Sequence, residues 1–157
     1  MKIKLLVVGK TDDKLILQGI EKYEARLKHY IGFERIEINA PKLSSNVSAE
    51  QIKKQEAELI LKQVTNEQLL VLLDEKGVEY DSRGFAQFIN QKMSSGSKSL
   101  VFIVGGAFGF SPSIYERAQF KISLSKMTFS HQMIRLFFTE QVYRAMTIIK
   151  GESYHHD

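Results

Sequence analysis

The chain has 157 residues, of which 43% are hydrophobic and 25% are charged, as in an ordinary soluble globular protein. This length fits a single domain over 1–157 that can bury a core without covalent cross-links. The chain contains no cysteine, which excludes disulfides and thiolate metal sites and is compatible with a cytoplasmic location. No stretch approaches the roughly 20 apolar residues of a membrane span. The net charge of +4 is compatible with an RNA partner, although lysines on exposed helices would give the same charge.

Short apolar runs alternate with longer amphipathic segments along the chain. The apolar runs predict buried strands at 3–8, 33–38, 68–73, 100–104 and 122–124. The amphipathic segments predict helices at 14–30, from 48 onwards, from 82 to about 93, from 112 onwards and at 131–150. The polar segment 41–47 predicts a loop. Strands that alternate with helices indicate an α/β fold, with a mainly parallel sheet flanked by helices.

Local signals mark the starts of several predicted helices. Ser48, with Gln51 three residues later, matches a capping box. Ser111 before Pro112 combines a capping hydroxyl with proline at the first helical position, and Ser82 is the expected cap of the third helix. One face of the first helix is expected to be buried, and it carries Leu15, Ile16, Ile20, Tyr23 and Leu27.

The last predicted helix is apolar nearly all the way round. Its apolar residues are Met133, Ile134, Leu136, Phe137, Phe138, Val142, Tyr143, Met146, Ile148 and Ile149. A helix of this kind must be covered on more than one side, and one small sheet covers only one. A second subunit that covers the rest gives the prediction of a homodimer. The alternative is a central helix enclosed within the monomer.

The first candidate site follows the fourth predicted strand and reads Gly-Gly-Ala-Phe-Gly from 105 to 109. Glycine lets a ligand approach the main chain, and ligands of parallel α/β sheets bind beyond the carboxyl ends of the strands. The segment does not match the dinucleotide-binding fingerprint, and it lacks the lysine and hydroxyl residue of a phosphate loop. A tight structural turn would have the same composition.

The second candidate site joins the fifth predicted strand to the last helix and covers 124–132. Main-chain groups without secondary-structure partners can hydrogen-bond the edge of an adenine here, flanked by Leu124, Met127 and Phe129. The alternative is an ordinary loop in which Ser130 caps the helix.

The last helix and the tail carry the remaining candidate side chains. His131 and Arg135 lie four residues apart and therefore share a helix face. Arg144 is either functional or paired with Glu140. The tail 151–157 contains a tyrosine and two histidines, which can stack on a base and handle protons. The alternative for the tail is a mobile chain end.

Three segments combine into a specific pattern: VGGAFGFS after the fourth strand, LSKMTFSHQMIRLFFTEQVYRA into the last helix, and GESYHH near the end. Together they resemble the bacterial ribosomal RNA large subunit methyltransferase H family, the pseudouridine N3-methyltransferases of the SPOUT superfamily. The opening MKIKLLVVGK and the segment IEKYEARL fit as well, so the resemblance covers essentially the whole chain.

The resemblance implies properties that the residue pattern by itself does not show. It implies a C-terminal trefoil knot, a rare exception to the rule that chains are not knotted. It also implies a homodimer that binds S-adenosyl-L-methionine in the knot, near the subunit interface. The implied substrate is a pseudouridine of 23S ribosomal RNA in the assembled ribosome. Carried over by motif, the cofactor contacts are Leu73, Gly105, Leu124, Ser125, Lys126, Met127, Thr128 and Phe129.

The chain departs from the family pattern in two places. Members often carry proline where Ser130 stands, which affects the rigidity of the loop more than its chemistry. Members also often carry a basic residue where His156 stands. A histidine is mostly neutral at pH 7, so this position lacks the permanent charge that a phosphate contact would use.

The implied reaction gives roles to four side chains of the last helix and the tail. The imino proton of the base must leave, which requires a protein base or stabilisation of the resulting anion. Histidine titrates close to neutral pH, so His131 and His155 are the candidate proton acceptors. Arg144 can hold a phosphate or the developing base anion, and Tyr154 can stack on or orient the base. No metal is implied, because no carboxylate–histidine cluster is found in the sequence.

Three other functions share some of these features. A non-enzymatic RNA- or ribosome-binding protein would share the basic charge but would need no cofactor cleft. A different α/β enzyme would bind a nucleotide such as ATP or NAD at the glycine segment. The third alternative is a relative with the same knot that methylates transfer RNA. No residue of this chain reads a base sequence, so the residues alone do not distinguish the two RNA substrates.

Overall fold

The computed structural model describes residues 1–42 and 46–155, so residues 43–45 of the expected loop lie outside the described part. The strands are β1 (Lys2–Val8), β2 (Gly32–Ile38), β3 (Leu69–Glu79), β4 (Ser99–Val104) and β5 (Phe120–Ser123). The helices are α1 (Lys14–Leu27), α2 (Ala49–Leu61), α3 (Ser82–Ser94), α4 (Pro112–Arg117) and α5 (His131–Lys150). The strands form one parallel sheet in the order β2-β1-β4-β3-β5. The predicted α/β fold is confirmed.

Helices cover both faces of the sheet, which explains why its central strands are apolar throughout. Every residue of β4 is buried. Phe102 and Val104 belong to the core cluster that packs under α1, α3 and α5. Val101 and Ile103 belong to the cluster on the opposite face, under α2 and α4. The alternation along β4 therefore separates two cores.

Capping side chains fix the starts of α2 and α3. Both bonds of the predicted capping box form, because Ser48 Oγ accepts the Gln51 N–H and the Gln51 side chain accepts the Ser48 N–H. Asp81 caps α3, and its Oδ1 accepts the Gly84 N–H at 2.6 Å. The prediction that Ser82 is this cap is wrong. The carboxylate one residue earlier is the stronger acceptor and is favoured by the helix dipole.

Two further expectations differ from the structure. Ser111 precedes α4 as predicted, but its hydroxyl pairs with Ser113 Oγ at 2.8 Å and makes no cap hydrogen bond. Leu15 is 80% exposed, whereas Ile20 and Leu27 on the same helix are buried. At 3.6 residues per turn, Leu15 lies about 140° round the helix from Ile20. Leu15 therefore lies outside the buried face of α1, and the prediction that it is buried is wrong.

Strand β3 is longer than predicted. Its pairing with β5 shifts register between Leu73 and Val78, and the strand then continues to Glu79. At Gly77 a Cβ would lie 2.5 Å from the main chain of Ile122, so the two strands approach too closely for any other residue. The polar residues 74–76 therefore interrupt the strand at its centre and do not end it.

Helix α5 packs between α1 and α3 on one face of the sheet. Its residues Phe138, Val142 and Met146 are fully buried, whereas Met133 and Phe137 remain 37% and 41% exposed. Enclosure within the chain accounts for one side of this apolar helix, and an apolar remainder lies on the outer side. The homodimer therefore stays a prediction.

Candidate active site

A cleft of about 580 Å³ opens at the carboxyl ends of β3, β4 and β5. Parallel α/β sheets bind ligands at this edge, and the volume is that of a small-molecule site. His131, in the first turn of α5, lines this cleft, whereas the exposed Lys126 does not. The other seven expected cofactor residues all line it, and they are Leu73, Gly105, Leu124, Ser125, Met127, Thr128 and Phe129.

The glycine segment forms one wall of the cleft. The Gly109 N–H donates to the Gly106 carbonyl at 3.1 Å, and Gly109 has a φ of +76°, which favours glycine. At Gly105 a Cβ would lie 3.0 Å from the ring of Phe110. The sequence left a tight turn and a wall of a ligand site as alternatives for this segment. In the structure the segment is a tight turn that also lines the cleft.

The loop from 124 to 129 forms the facing wall. Ser125 Oγ accepts the Met127 N–H at 2.9 Å, which holds the loop in a bend. Among residues 1–42 and 46–155, no hydrogen-bond partner is found for the N–H groups of Lys126, Thr128 and Phe129. These main-chain donors remain available for the polar edge of a ligand.

Ser130 begins α5 as its N-cap, and its Oγ accepts the Met133 N–H at 3.2 Å. The expected alternative role of Ser130 as a helix cap is therefore confirmed. Proline, which the family resemblance leads one to expect at this position, has no hydroxyl for this bond. The departure from the family pattern thus gives α5 an extra local hydrogen bond beside the cleft.

Three of the expected catalytic residues meet at the other end of α5. Glu140 Oε1 accepts hydrogen bonds from Arg144 Nη2 at 2.7 Å and from the Tyr154 hydroxyl at 3.1 Å. The Arg144 guanidinium carbon lies 4.8 Å from the centre of the Tyr154 ring, and Arg144 Nη1 lies 3.4 Å from Nδ1 of His155. The pairing of Arg144 with Glu140 is thus part of a larger cluster, here called the tail cluster.

The environment of Tyr154 keeps its phenol protonated. The ring packs against Tyr143 with 4.8 Å between centroids, and the hydroxyl oxygen lies 3.4 Å from that of Tyr23. Burial raises the pKa of Tyr154 well above its ordinary value, and the hydrogen bond with Tyr23 and the charge of Glu140 act in the same direction. Tyr154 is therefore a hydrogen-bond donor at neutral pH.

The cleft and the tail cluster are separated by most of the length of α5. His131 and Arg144 are thirteen positions apart on this helix, which corresponds to about 20 Å. One chain therefore does not bring the four expected catalytic residues together. His155 also lines a second groove, of about 470 Å³, between α3 and the end of α5. His156 lies outside the described residues.

Several residues of the cleft were missed from the sequence. They are the polar residues 74–76 of β3, Lys53 of α2 and Tyr115 of α4. Residues 74–76 are a polar run that directly follows an apolar strand, and this pattern could have predicted that they line the cleft. The spacing of α2 gives no signal for Lys53, because that residue reaches the cleft only through the tertiary fold.

Two kinds of feature are absent from the described part of the chain. Residues 1–42 and 46–155 contain no group of three histidine, aspartate or glutamate side chains placed to hold a metal ion. In the same ranges, no helix has the length and apolar character needed to cross a membrane.

The fold and the cleft define a small α/β protein with a candidate ligand site at the carboxyl edge of a parallel sheet. The family model described as "Predicted SPOUT methyltransferase" matches residues 1–155. The chain belongs to this family of methyltransferases, and it is therefore an enzyme.

Similar proteins match the chain along its whole length. A "Ribosomal RNA large subunit methyltransferase H" of Porphyromonas gingivalis is 54% identical, with 100% of both chains covered. Proteins of the same name from Parabacteroides distasonis and Cytophaga hutchinsonii are 54% and 51% identical, and the matches cover 100% and 99% of this chain and all of theirs. The resemblance inferred from the three sequence segments is confirmed.

Proposed function

We propose that the chain uses S-adenosyl-L-methionine to methylate N3 of a pseudouridine in 23S ribosomal RNA, acting on the assembled ribosome in the bacterial cytoplasm. Relatives that are about half identical are named as methyltransferases of the large subunit RNA. The observation that carries the proposal is the meeting of the glycine turn and the loop 124–129 at one cleft.

The cleft suits this cofactor in its shape and in its hydrogen-bonding groups. Leu73 and Leu124 offer half-buried apolar side chains on which an adenine can pack. The N–H groups of Thr128 and Phe129 can bind the polar edge of the adenine, and glycine at 105 permits close approach. When bound, the cofactor supplies an electrophilic methyl group on its sulfonium.

The chain's own side chains must orient the base and take up its imino proton. Because arginine only donates, His155 Nδ1 accepts from Arg144, and Nε2 then carries the proton. His155 in that tautomer donates to the base, and this leaves His131 at the cleft as the proposed proton acceptor. Arg144 stabilises the developing anion or holds a phosphate, and Tyr154 stacks on or orients the base.

A homodimer would complete the site. About 20 Å separate His131 from Arg144 within one chain, which is too far for both to contact one base. Met133 and Phe137 leave apolar surface on the outer side of α5. A two-fold interface uses the same patch on both subunits, so antiparallel α5 helices would place one tail cluster beside the partner's cleft.

The C-terminal trefoil knot that the family implies belongs to the same proposal. A knot would hold the glycine turn and the loop 124–129 side by side, as their shared cleft requires. Chains are otherwise almost never knotted, so a functional site is a reason to retain one.

Transfer of a labelled methyl group to RNA tests the substrate. The acceptors are intact ribosomes, separate subunits, bare 23S ribosomal RNA and transfer RNA, all from a strain that lacks this enzyme. We expect label only on intact ribosomes, at N3 of one pseudouridine after mapping. Ribosomes methylated in advance by the enzyme are the control and should take up no label. Label on transfer RNA alone would contradict the assignment.

Calorimetry tests the cofactor independently of the RNA. S-adenosylhomocysteine should give a saturable heat, and ATP and NAD should not displace it. No heat with S-adenosylhomocysteine, together with binding of ATP or NAD, would favour the alternative of a nucleotide-binding enzyme. A protein that bound RNA but none of these ligands would be a non-enzymatic RNA-binding module.

A further inference from the structure

Glu56 lies in the middle of α2 with only 7% of its surface exposed. Among residues 1–42 and 46–155, Glu56 is the only buried acidic residue. The ion pairs found in these ranges do not include it. Burial of a carboxylate without a cation is unfavourable, so a structural or functional contact of Glu56 is needed to explain its position.

The carboxylate of Glu56 lies directly against Gly106 of the cleft wall. A Cβ at Gly106 would lie 2.1 Å from Oε1 and 2.5 Å from Oε2, so the carboxylate fills the space of a side chain. Gly106 does not have a positive φ, and glycine is therefore required here by space and not by conformation. Burial raises the pKa of Glu56, and the adjacent main chain of Gly106 opposes this rise to a smaller extent.

We propose that Glu56 is a positioning residue that holds the glycine turn of the cofactor cleft through Gly106. The inference rests on the proposed function, in which this turn contacts S-adenosyl-L-methionine. Glu56 does not line the cleft, whereas Gly106 does, so Glu56 acts on the ligand only through the turn. The bond between Gly109 and Gly106 closes the turn on itself, and Glu56 anchors the closed turn to α2.

This arrangement predicts different effects for Glu56→Ala and Glu56→Gln. Alanine removes the carboxylate that fills the volume beside the Cα of Gly106, and the turn can then move away from the ligand. Glutamine keeps an acceptor oxygen and nearly the same volume. Because the anchor acts on ligand position, we expect the KM for the methyl donor to rise more than kcat falls.

Calorimetric titration of the full chain with S-adenosylhomocysteine tests the proposal. Glu56→Ala should weaken binding about tenfold, as for loss of one positioning contact, and Glu56→Gln should bind within about twofold of the parent. Glu58→Ala, which removes an exposed carboxylate from the same helix, is the matched control. Parent-like binding by Glu56→Ala, or equal losses for alanine and glutamine, would overturn the proposal. Thermal melting shows that each variant is folded.

A double-mutant cycle tests the contact itself. Gly106→Ala collides with the carboxylate in the parent, whereas Glu56→Ala removes the three atoms that lie nearest to the added Cβ. Gly106→Ala should therefore weaken binding more in the parent than in the Glu56→Ala background. Equal effects in both backgrounds would overturn the proposal. If the parent itself does not bind S-adenosylhomocysteine, the proposed function fails instead.

Discussion

The two ends of α5 differ in how their polar groups are satisfied. At the cleft, the N–H groups of Lys126, Thr128 and Phe129 have no partner in the described part of the chain. In the tail cluster, Glu140 holds both Arg144 and Tyr154 through hydrogen bonds. The cleft thus has main-chain N–H groups that can bind a ligand, whereas the side chains of the tail cluster are already hydrogen-bonded to one another. This difference fits the proposed roles, in which one end binds a cofactor and the other positions a large substrate.

Removal of Arg144 should have the largest effect and should separate the two ends. Arg144→Ala should lower methyl transfer to ribosomes roughly 100-fold, because a charge-stabilising donor is lost at the reacting base. Binding of S-adenosylhomocysteine, measured by calorimetry, should remain close to that of the parent. Arg144→Lys keeps the charge but not the planar fork, so its transfer rate should fall between the two. Parallel losses of transfer and cofactor binding would contradict the division of roles.

Heterodimers of two inactive variants test whether the two ends meet across subunits. In a heterodimer of His131→Ala with Arg144→Ala, one composite site carries both changes and the other carries neither. Purified heterodimers should therefore recover about half of the parent's transfer activity. Each homodimeric variant is the control and should stay inactive. Absence of recovery in a verified heterodimer would show that each site lies within one chain.

Most of the fold was predictable because the central strands of its sheet, β1 and β4, are buried on both faces. β4 is apolar at Leu100–Val104, and such a run identifies a strand without knowledge of its neighbours. The cleft was predictable for a related reason, because residues that follow parallel strands meet at one edge of the sheet. The glycine turn and the loop 124–129 both follow strands, and they do meet.

The parts that could not be predicted depend on contacts between distant segments. β3 continues past Leu73 only because Gly77 lets it approach the main chain of Ile122. Glu56 and Gly106 lie fifty positions apart, and nothing in the spacing of α2 points to their contact. The distance between His131 and Arg144 follows from the length of one helix, but a dimer that bridges it is not encoded in any local pattern.

The cap of α5 should have a moderate effect, confined to the cleft end. Ser130→Ala removes the acceptor for the Met133 N–H, which should lower the free energy of unfolding by about 1 kcal/mol. For a chain of this size, the Tm should fall by roughly 2–4 °C in thermal melts. Ser94→Ala is the control, because Ser94 is an exposed serine at the end of α3 that caps no helix. Equal shifts for the two variants would show that the cap itself contributes nothing.

The smallest expected effect is the pH dependence that Glu56 gives to the cleft end. Burial holds the pKa of Glu56 in the folded chain above its ordinary value of 4.5, so the folded state binds the proton more tightly than the unfolded state. Stability of the parent relative to Glu56→Gln should therefore fall as the pH rises above 4.5 through the raised pKa, and the difference should then level off. Tm values of both proteins from about pH 4 to pH 8 measure this difference, with Glu58→Gln as control. Tyr154 in the tail cluster stays protonated across this range, because burial raises its pKa well above the ordinary value. A difference between parent and variant that stays constant with pH would place the Glu56 carboxylate in a solvated environment.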